Sequence, residues 1–273
     1  MVKQLALIGG GVMGEALLSG WLAQNVVQPT AVWVSDPLAA RRHELATRYQ
    51  VHVTDDNRAA ITDAAIIFLA IKPQLFAAVG AELAPVVAAV PVAQKPLVVS
   101  ILAGTPLHKL EAAFPDCPVI RAMPNTPATV GAGMTAIAAG RWATPDHSQQ
   151  AHHLLTAAGD VVEVPESLMD AVTGLSGSGP AYVALLVESL ADGGVAAGLP
   201  RAIAARLALQ TVMGTAQLLH QSGMHPAELK DRVASPGGTT IAGILALEQA
   251  GFRSALMQAV MAATERSKAL GQY

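Results

Sequence analysis

The 273-residue sequence holds a single cysteine, Cys117, and few aromatic (4%) or charged (14%) residues. One cysteine excludes an intrachain disulfide framework and a cysteine-rich zinc site, and it fits a reducing compartment, so the cytoplasm is the expected location. With a formal charge of -3 and interspersed acids and bases, the chain lacks the basic footprint that a phosphate backbone requires, and nucleic acid is not an expected partner. Long apolar runs are missing too. Residues 1–14 carry only a four-residue apolar run before their glycines, too short for the core of a signal peptide. The uncharged stretch 171–187 is broken by Gly174, Gly177, Gly179 and Pro180, so no membrane span is expected and the protein reads as soluble.

Apolar residues, by contrast, make up 52% of the chain. That excludes disorder and suggests surface buried between subunits, so a homo-oligomer is expected. The length favours two domains over one. From residue 3 to about 163, short runs rich in valine, isoleucine and leucine alternate with alanine-rich segments, the pattern of strands and crossover helices in a parallel sheet. The predicted strands are 4–8, 31–35, 51–53, 64–71, 97–101, 119–122, 135–139 and 161–164. After Pro165 the strand signals stop, and long alanine and leucine stretches broken by glycine and proline predict an all-helical second domain.

The first predicted strand ends at Ile8 and runs into Gly9-Gly10-Gly11-Val12-Met13-Gly14, a G-x-G-x-x-G that opens a predicted helix. In that setting the first glycine makes a tight turn, the second admits a pyrophosphate, and the third packs helix on strand. The helix start adds unpaired N–H groups and the positive end of a dipole. The fold class is therefore α/β: an N-terminal Rossmann-like doubly wound sheet over residues 1–164, followed by an all-α domain over 165–273. Asp36, at the end of the second predicted strand, stands where an acidic residue usually holds the ribose, which tells against a 2′-phosphate. Ser35 can instead donate to a phosphate, Arg41 and Arg42 can neutralise one, and Asn57 can reach the same ribose, so these residues leave NADPH and NADH both open. The plainer reading is that Ser35 and Asp36 cap a helix starting near Pro37. Ala70-Ile71-Lys72-Pro73 and the loop around Asn125 and Thr126 lie at the carboxyl ends of two further strands, where ligands bind in open sheets.

The second domain is poor in acids and bases: its lysines are Lys230 and Lys268, its histidines His220 and His225. Hydride delivered to a ketone leaves an alkoxide that must be protonated, whereas an iminium carbon is already electrophilic and needs little beyond orientation. An imine substrate is favoured. The segment Gly174-Leu175-Ser176-Gly177-Ser178-Gly179-Pro180 resembles the G-x-x-G-x-G loop of β-hydroxyacid dehydrogenases, but Val183 stands at the position of their catalytic lysine. A second glycine loop, Ser235-Pro236-Gly237-Gly238-Thr239-Thr240, enters a predicted helix. It reads either as a carboxylate site made of backbone N–H groups and hydroxyls or as a turn with Thr239 as N-cap. The adjacent His152 and His153 face different sides of a helix and read as a solvated pair rather than metal ligands, so no metal is expected.

From Pro226 through Leu229, Val233, Ser235, Gly237, Gly238, Thr240, Gly243 and Leu247 to Glu248, the chain resembles the signature segment of pyrroline-5-carboxylate reductases. The other motifs follow in that family's order, through Ser176 to Tyr182 and the terminal Gly251-Phe252-Arg253. The resemblance implies reduction of Δ1-pyrroline-5-carboxylate to L-proline, the last step of proline biosynthesis, with NADP(H) preferred and NAD(H) accepted. It also implies that the helical domain binds substrate and dimerises, often building a decamer from dimers. On the same ground Ser235, Gly237, Gly238 and Thr239 would hold the substrate carboxylate and Thr240 would hydrogen-bond the ring nitrogen. Ile8 to Gly14, Ser35, Asp36, Asn57, Ala70 to Pro73, Asn125 and Thr126 would hold the cofactor. Asp36 departs from the serine or other uncharged or basic group that members of the family often place there, which weakens the implied NADPH preference. The rival readings are a β-hydroxyacid-type dehydrogenase and a non-catalytic dinucleotide-binding redox sensor.

Overall fold

The computed structural model describes residues 5–271; Gln4, the first residue of the first predicted strand, lies outside them. Eight strands form one sheet in the order β3-β2-β1-β4-β5-β6-β7-β8. They are β1 (Leu5–Ile8), β2 (Val32–Ser35), β3 (His52–Thr54), β4 (Ile66–Leu69), β5 (Leu97–Ser100), β6 (Val119–Met123), β7 (Gly133–Ala139) and β8 (Gly159–Glu163). Each coincides with a predicted strand to within a few residues. Helices α1 (Val12–Ala23), α2 (Ala39–Tyr49), α3 (Asn57–Ile61), α4 (Phe76–Ala88), α5 (Leu107–Ala113), α6 (Pro145–Thr156) and α7 (Met169–Val172) connect or follow them. The last five are α8 (Gly179–Ala196), α9 (Arg201–Ser222), α10 (Pro226–Val233), α11 (Thr239–Gln249) and α12 (Phe252–Gly271).

The central strands are almost wholly apolar because both faces of the sheet are covered there. Alternate residues feed two cores. Leu5 and Leu7 of β1, Phe68 of β4 and Val99 of β5 join one, with Leu17, Leu18 and Trp21 of α1. Ala6 and Ile8, Ile67 and Leu69, and Val98 join the other, with Leu83 of α4 and Leu110 of α5. Trp21 is fully buried, meets Phe68 edge-on at 4.9 Å, and donates its indole N–H to the Leu154 carbonyl at 2.8 Å. A large aromatic in such a place typically contributes about 3–5 kcal/mol.

One strand departs from the all-parallel expectation. β7 pairs antiparallel with β6, whereas β8 returns parallel to β7. Between Met123 and Gly133 there is a single short helical turn, Thr126–Val130, too little chain for a crossover that needs a dozen or so residues.

Backbone contacts divide the chain into two compact units, one running to Gly177 and resuming at Ala263, the other comprising Ser178–Ala262. Among the described residues all structure after β8 is helical. The unit boundary falls later than the last strand because α7 and the end of α12 belong to the sheet unit. Met169 is buried among the residues of its second core, and Ser267 Oγ donates to Asp170 Oδ1 at 2.6 Å.

Candidate active site

Strand pairing sets Thr54, Ser35, Ile8, Leu69, Ser100 and Arg121 in one row across the sheet. The loops that follow this row leave from its carboxyl edge, and the strand order reverses between β1 and β4, the place where open α/β sheets bind ligands.

The glycine motif occupies that place, and its three glycines do three different things. Gly9 has φ +103°, a conformation costly for any side chain, and a Cβ there would lie 2.6 Å from the Ala70 carbonyl oxygen. Gly14 is closed by contact: a Cβ would lie 2.3 Å from the Gly9 oxygen, so α1 packs directly on the turn. Gly11 is open, with nothing within 4 Å of a Cβ. It is also the N-cap of α1 and makes no side-chain cap, which leaves the first-turn N–H groups facing that space. Room for a pyrophosphate, uncapped donors and a helix dipole coincide there, so these residues fit a dinucleotide.

The ribose candidates are more constrained than their types suggest. Asp36 is buried; its Oδ2 accepts from Gly10 N–H at 3.0 Å and its Oδ1 from Leu38 N–H at 2.9 Å. It is thus not a helix cap for α2, which starts at Ala39 with Leu38 as N-cap. Ser35 Oγ donates to Asn57 Oδ1 at 2.7 Å, and Asn57 Nδ2 donates to Glu82 Oε2 at 2.9 Å. Arg41 donates to the Gly10 carbonyl and pairs with Glu15 and Glu44; Arg42 donates to the carbonyls of Asp36 and Pro37 and pairs with Asp55. Burial raises the pKa of Glu15, but its bonds to Arg41 and Tyr49 and the charge of Arg48 outweigh that and hold it below the ordinary carboxylate value. Lys72 is exposed at the start of the turn after β4.

Asn125 does not offer its amide freely. Its Nδ2 donates to the Ser176 carbonyl at 3.2 Å and its Oδ1 accepts from Met134 N–H at 2.8 Å, so it ties the β6–β7 loop to the segment before α8. Thr126 is exposed beside it. The segment itself, Thr173–Gly177, is a π-helical turn, a form concentrated at functional sites. Neither Glu82 nor the partnership of Asn125 with Ser176 was nominated from sequence, since both join residues far apart in the chain.

In the helical unit, Ser235 to Gly238 form a turn in which Gly238 N–H donates to the Ser235 carbonyl at 3.0 Å. Gly237 takes φ +64°, and a Cβ on Gly238 would lie 2.3 Å from Ser235 Oγ. The N-cap of α11 is Gly238, not Thr239, and no side chain caps it. The first-turn N–H groups and the hydroxyls of Thr239 and Thr240 are therefore left for another acceptor. Two basic groups of this unit are engaged locally: Lys230 pairs with Asp231, and His225 Nδ1 accepts from Ala227 N–H at the start of α10. Val183 lies half-exposed on α8. His152 and His153 are exposed on α6, and among the described residues no group of three or more His, Cys, Asp or Glu could hold a metal ion.

Comparison with known proteins gives this geometry a lineage. The chain is 56% identical over 272 residues to pyrroline-5-carboxylate reductase of Synechocystis, covering 100% of both chains. The chain belongs to the pyrroline-5-carboxylate reductase family. A family model described as pyrroline-5-carboxylate reductase dimerisation matches residues 166–270, and one described as NADP oxidoreductase, coenzyme F420-dependent, matches 4–104. Among solved structures, the Coxiella burnetii pyrroline-5-carboxylate reductase superposes with a TM-score of 0.92 at 32% identity, covering 99% of each chain. The Plasmodium falciparum pyrroline carboxylate reductase, solved with NADP bound, gives 0.86 at 31% identity, covering 98% of each.

The reductase family's dimerisation domain explains the surface of the helical unit. Its own core is only Ala191, Ala204 and Ala208, with Val187 and Val195 alongside. Leu207, Leu209, Met213, Leu245, Met257 and Met261 are each more than half exposed. An apolar surface of this extent marks an interface between chains. No helix among the described residues is long and apolar enough to cross a membrane.

Proposed function

We propose that the chain reduces Δ1-pyrroline-5-carboxylate to L-proline, the closing step of proline biosynthesis, with a nicotinamide dinucleotide as reductant. Ile8 to Gly14, with Ser35, Asp36, Asn57, the stretch Ala70 to Pro73, Asn125 and Thr126, would form the cofactor site. When bound, the dinucleotide supplies a hydride. The open space over Gly11 and the uncapped start of α1 would take the pyrophosphate, and the acceptors around Asp36 the ribose. Thr126 would border the nicotinamide, with Asn125 holding the loop in place.

The observation that carries the substrate assignment is the uncapped N-terminus of α11 behind the Ser235–Gly238 turn. Backbone N–H groups, the helix dipole and the hydroxyls of Ser235 and Thr239 suit a small carboxylate. Thr240 at the same helix start would hydrogen-bond the ring nitrogen. The C=N carbon takes the hydride, the double bond becomes single, and the nitrogen ends as an amine whose protons come from the iminium form and from water. No strong protein acid is required, in keeping with the engagement of Lys230 and His225 elsewhere.

Both NADP(H) and NAD(H) are within the chemistry of the site; the family model's description and the NADP-bound relative support NADP(H) as a cofactor that it accepts. The working form would be a homodimer through the helical unit, with a decamer as its higher assembly, located in the cytoplasm.

The test is an assay of the purified protein with pyrroline-5-carboxylate and each cofactor in turn, following loss of the reduced nicotinamide and formation of proline. Proline with at least one cofactor is the expected result. Tight dinucleotide binding without proline from either would replace this reading with that of a redox sensor.

A further inference from the structure

The sequence nominates a set of donors for a 2′-phosphate, and the structure shows where each one's hydrogen goes. The hydroxyl of Ser35 is used on Asn57 Oδ1, and one amide hydrogen of Asn57 on the carboxylate of Glu82. The N–H groups of Gly10 and Leu38 are used on Asp36. Arg41, sheltered from solvent, is divided among Glu15, Glu44 and the Gly10 carbonyl. Arg42 is divided among Asp55 and the carbonyls of Asp36 and Pro37. Lys72 follows β4, and the strand order sets β4 and β2 on opposite sides of β1, roughly 10 Å apart.

A phosphate only accepts hydrogen bonds, and it brings a charge of about -1.5 to -2. It would enter a site where the Ser35 hydroxyl and the Gly10 and Leu38 N–H groups are already engaged, where both arginines are paired with carboxylates, and where Asp36 is itself a carboxylate. A ribose hydroxyl donates, so it meets the same acceptors favourably.

We propose that Glu82, acting through Asn57, is a second specificity-determining residue beside Asp36, and that together they make this chain prefer NADH over NADPH. Glu82 lies on α4, 25 residues beyond Asn57, and is half-buried. It fixes which way the Asn57 amide points: with the carboxylate receiving Nδ2–H, Oδ1 must face the Ser35 hydroxyl and hold its only hydrogen. Glu82 also adds negative charge beside Asn57. A glutamine at 82 removes that charge and can donate to Asn57 Oδ1, which turns the amide and releases the Ser35 hydrogen.

The preference rests on the dinucleotide site proposed above, but its test does not require turnover. Calorimetric titration of the full-length protein with NADH and with NADPH should show tighter binding of NADH. In Glu82→Gln the ratio of the two dissociation constants should move toward NADPH by about tenfold, the worth of one charge-assisted hydrogen bond. Adding Ser35→Ala to Glu82→Gln should cancel part of that gain, a result that a merely structural role for Glu82 does not produce. Tighter binding of NADPH by the unaltered protein, or a Glu82→Gln variant whose two affinities fall by the same factor, would overturn the proposal. If the binding ratios behave as stated but pyrroline-5-carboxylate is not reduced, the functional reading fails and the cofactor preference stands.

Discussion

Asn125 and Ser176 are 51 residues apart in sequence and joined by a hydrogen bond of 3.2 Å from the Asn125 amide to the Ser176 carbonyl. With its oxygen on Met134 N–H, this one side chain fastens the loop after β6 to the π-helical turn before α8. Asn125→Ala leaves a half-buried donor and acceptor without partners, costing about 1–3 kcal/mol. The thermal midpoint should fall by several degrees, at roughly 2–4 °C per kcal/mol for a chain of this size. A midpoint equal to that of the unaltered protein would mean that the turn holds itself.

Two glycines four residues or fewer from each other should respond in opposite ways to alanine. At Gly14 a methyl group meets the Gly9 oxygen at 2.3 Å, so Gly14→Ala should destabilise the fold and abolish dinucleotide binding together. At Gly11 it meets nothing within 4 Å, so Gly11→Ala should fold normally and lose affinity, because the methyl enters the space assigned to the pyrophosphate. Melting curves and dinucleotide titrations on both variants decide this; retained affinity in Gly11→Ala would move the phosphates elsewhere.

Thr240 sits at the start of α11 with no capping duty. Thr240→Ala should therefore lower kcat/KM by about 1–3 kcal/mol of transition-state stabilisation without a matching loss of stability, and Thr240→Ser should recover much of it. Unchanged kinetics in the alanine variant would remove Thr240 from the reaction.

Asp36→Ser removes the carboxylate that two backbone N–H groups share. Freed, the Gly10 and Leu38 donors become available to an anion, and the ratio of kcat/KM for NADPH to that for NADH should rise. A constant ratio would mean that Asp36 serves only the glycine turn.

Burial pushes the Cys117 thiol up to about 11. A raised pKa means that the folded state favours the protonated form, so this contribution to stability is intact below about 9 and is lost as pH climbs toward 11. Alkylating reagents at pH 8 should modify Cys117 only in denaturant. Rapid labelling of the native protein would show that the thiol is reachable.

Much of this was legible in the chain. The strands were, because a sheet covered on both faces demands unbroken runs such as Leu5–Ile8 and Ile66–Leu69. The direction of β7 was not, since alternation carries no arrow; only the short chain between Met123 and Gly133 held the clue. The turn at Gly9 and the close packing at Gly14 followed from spacing, and Gly11 is left open. The engagements of Arg41, Arg42 and Asn57 did not, because residue type states what a side chain can do and packing decides whether it is free to do it. Glu82 carried no signal: a lone glutamate in an alanine-rich helix looks like a solvated surface residue. The cap of α11 was placed one position late, at Thr239 rather than Gly238, a shift that only the backbone angles of Gly238 reveal.

The small alanine core of the helical half governs how the molecule is made as well as how it works. A newly synthesised chain can finish its sheet half as a first-order process, but burying the leucines and methionines of α9, α11 and α12 awaits an encounter with another chain. Recovery from denaturant should therefore follow the square of subunit concentration in its late phase. Until that encounter, each chain presents a sticky helical surface to chaperones and proteases, so its cellular abundance depends on its rate of synthesis more steeply than that of a monomer.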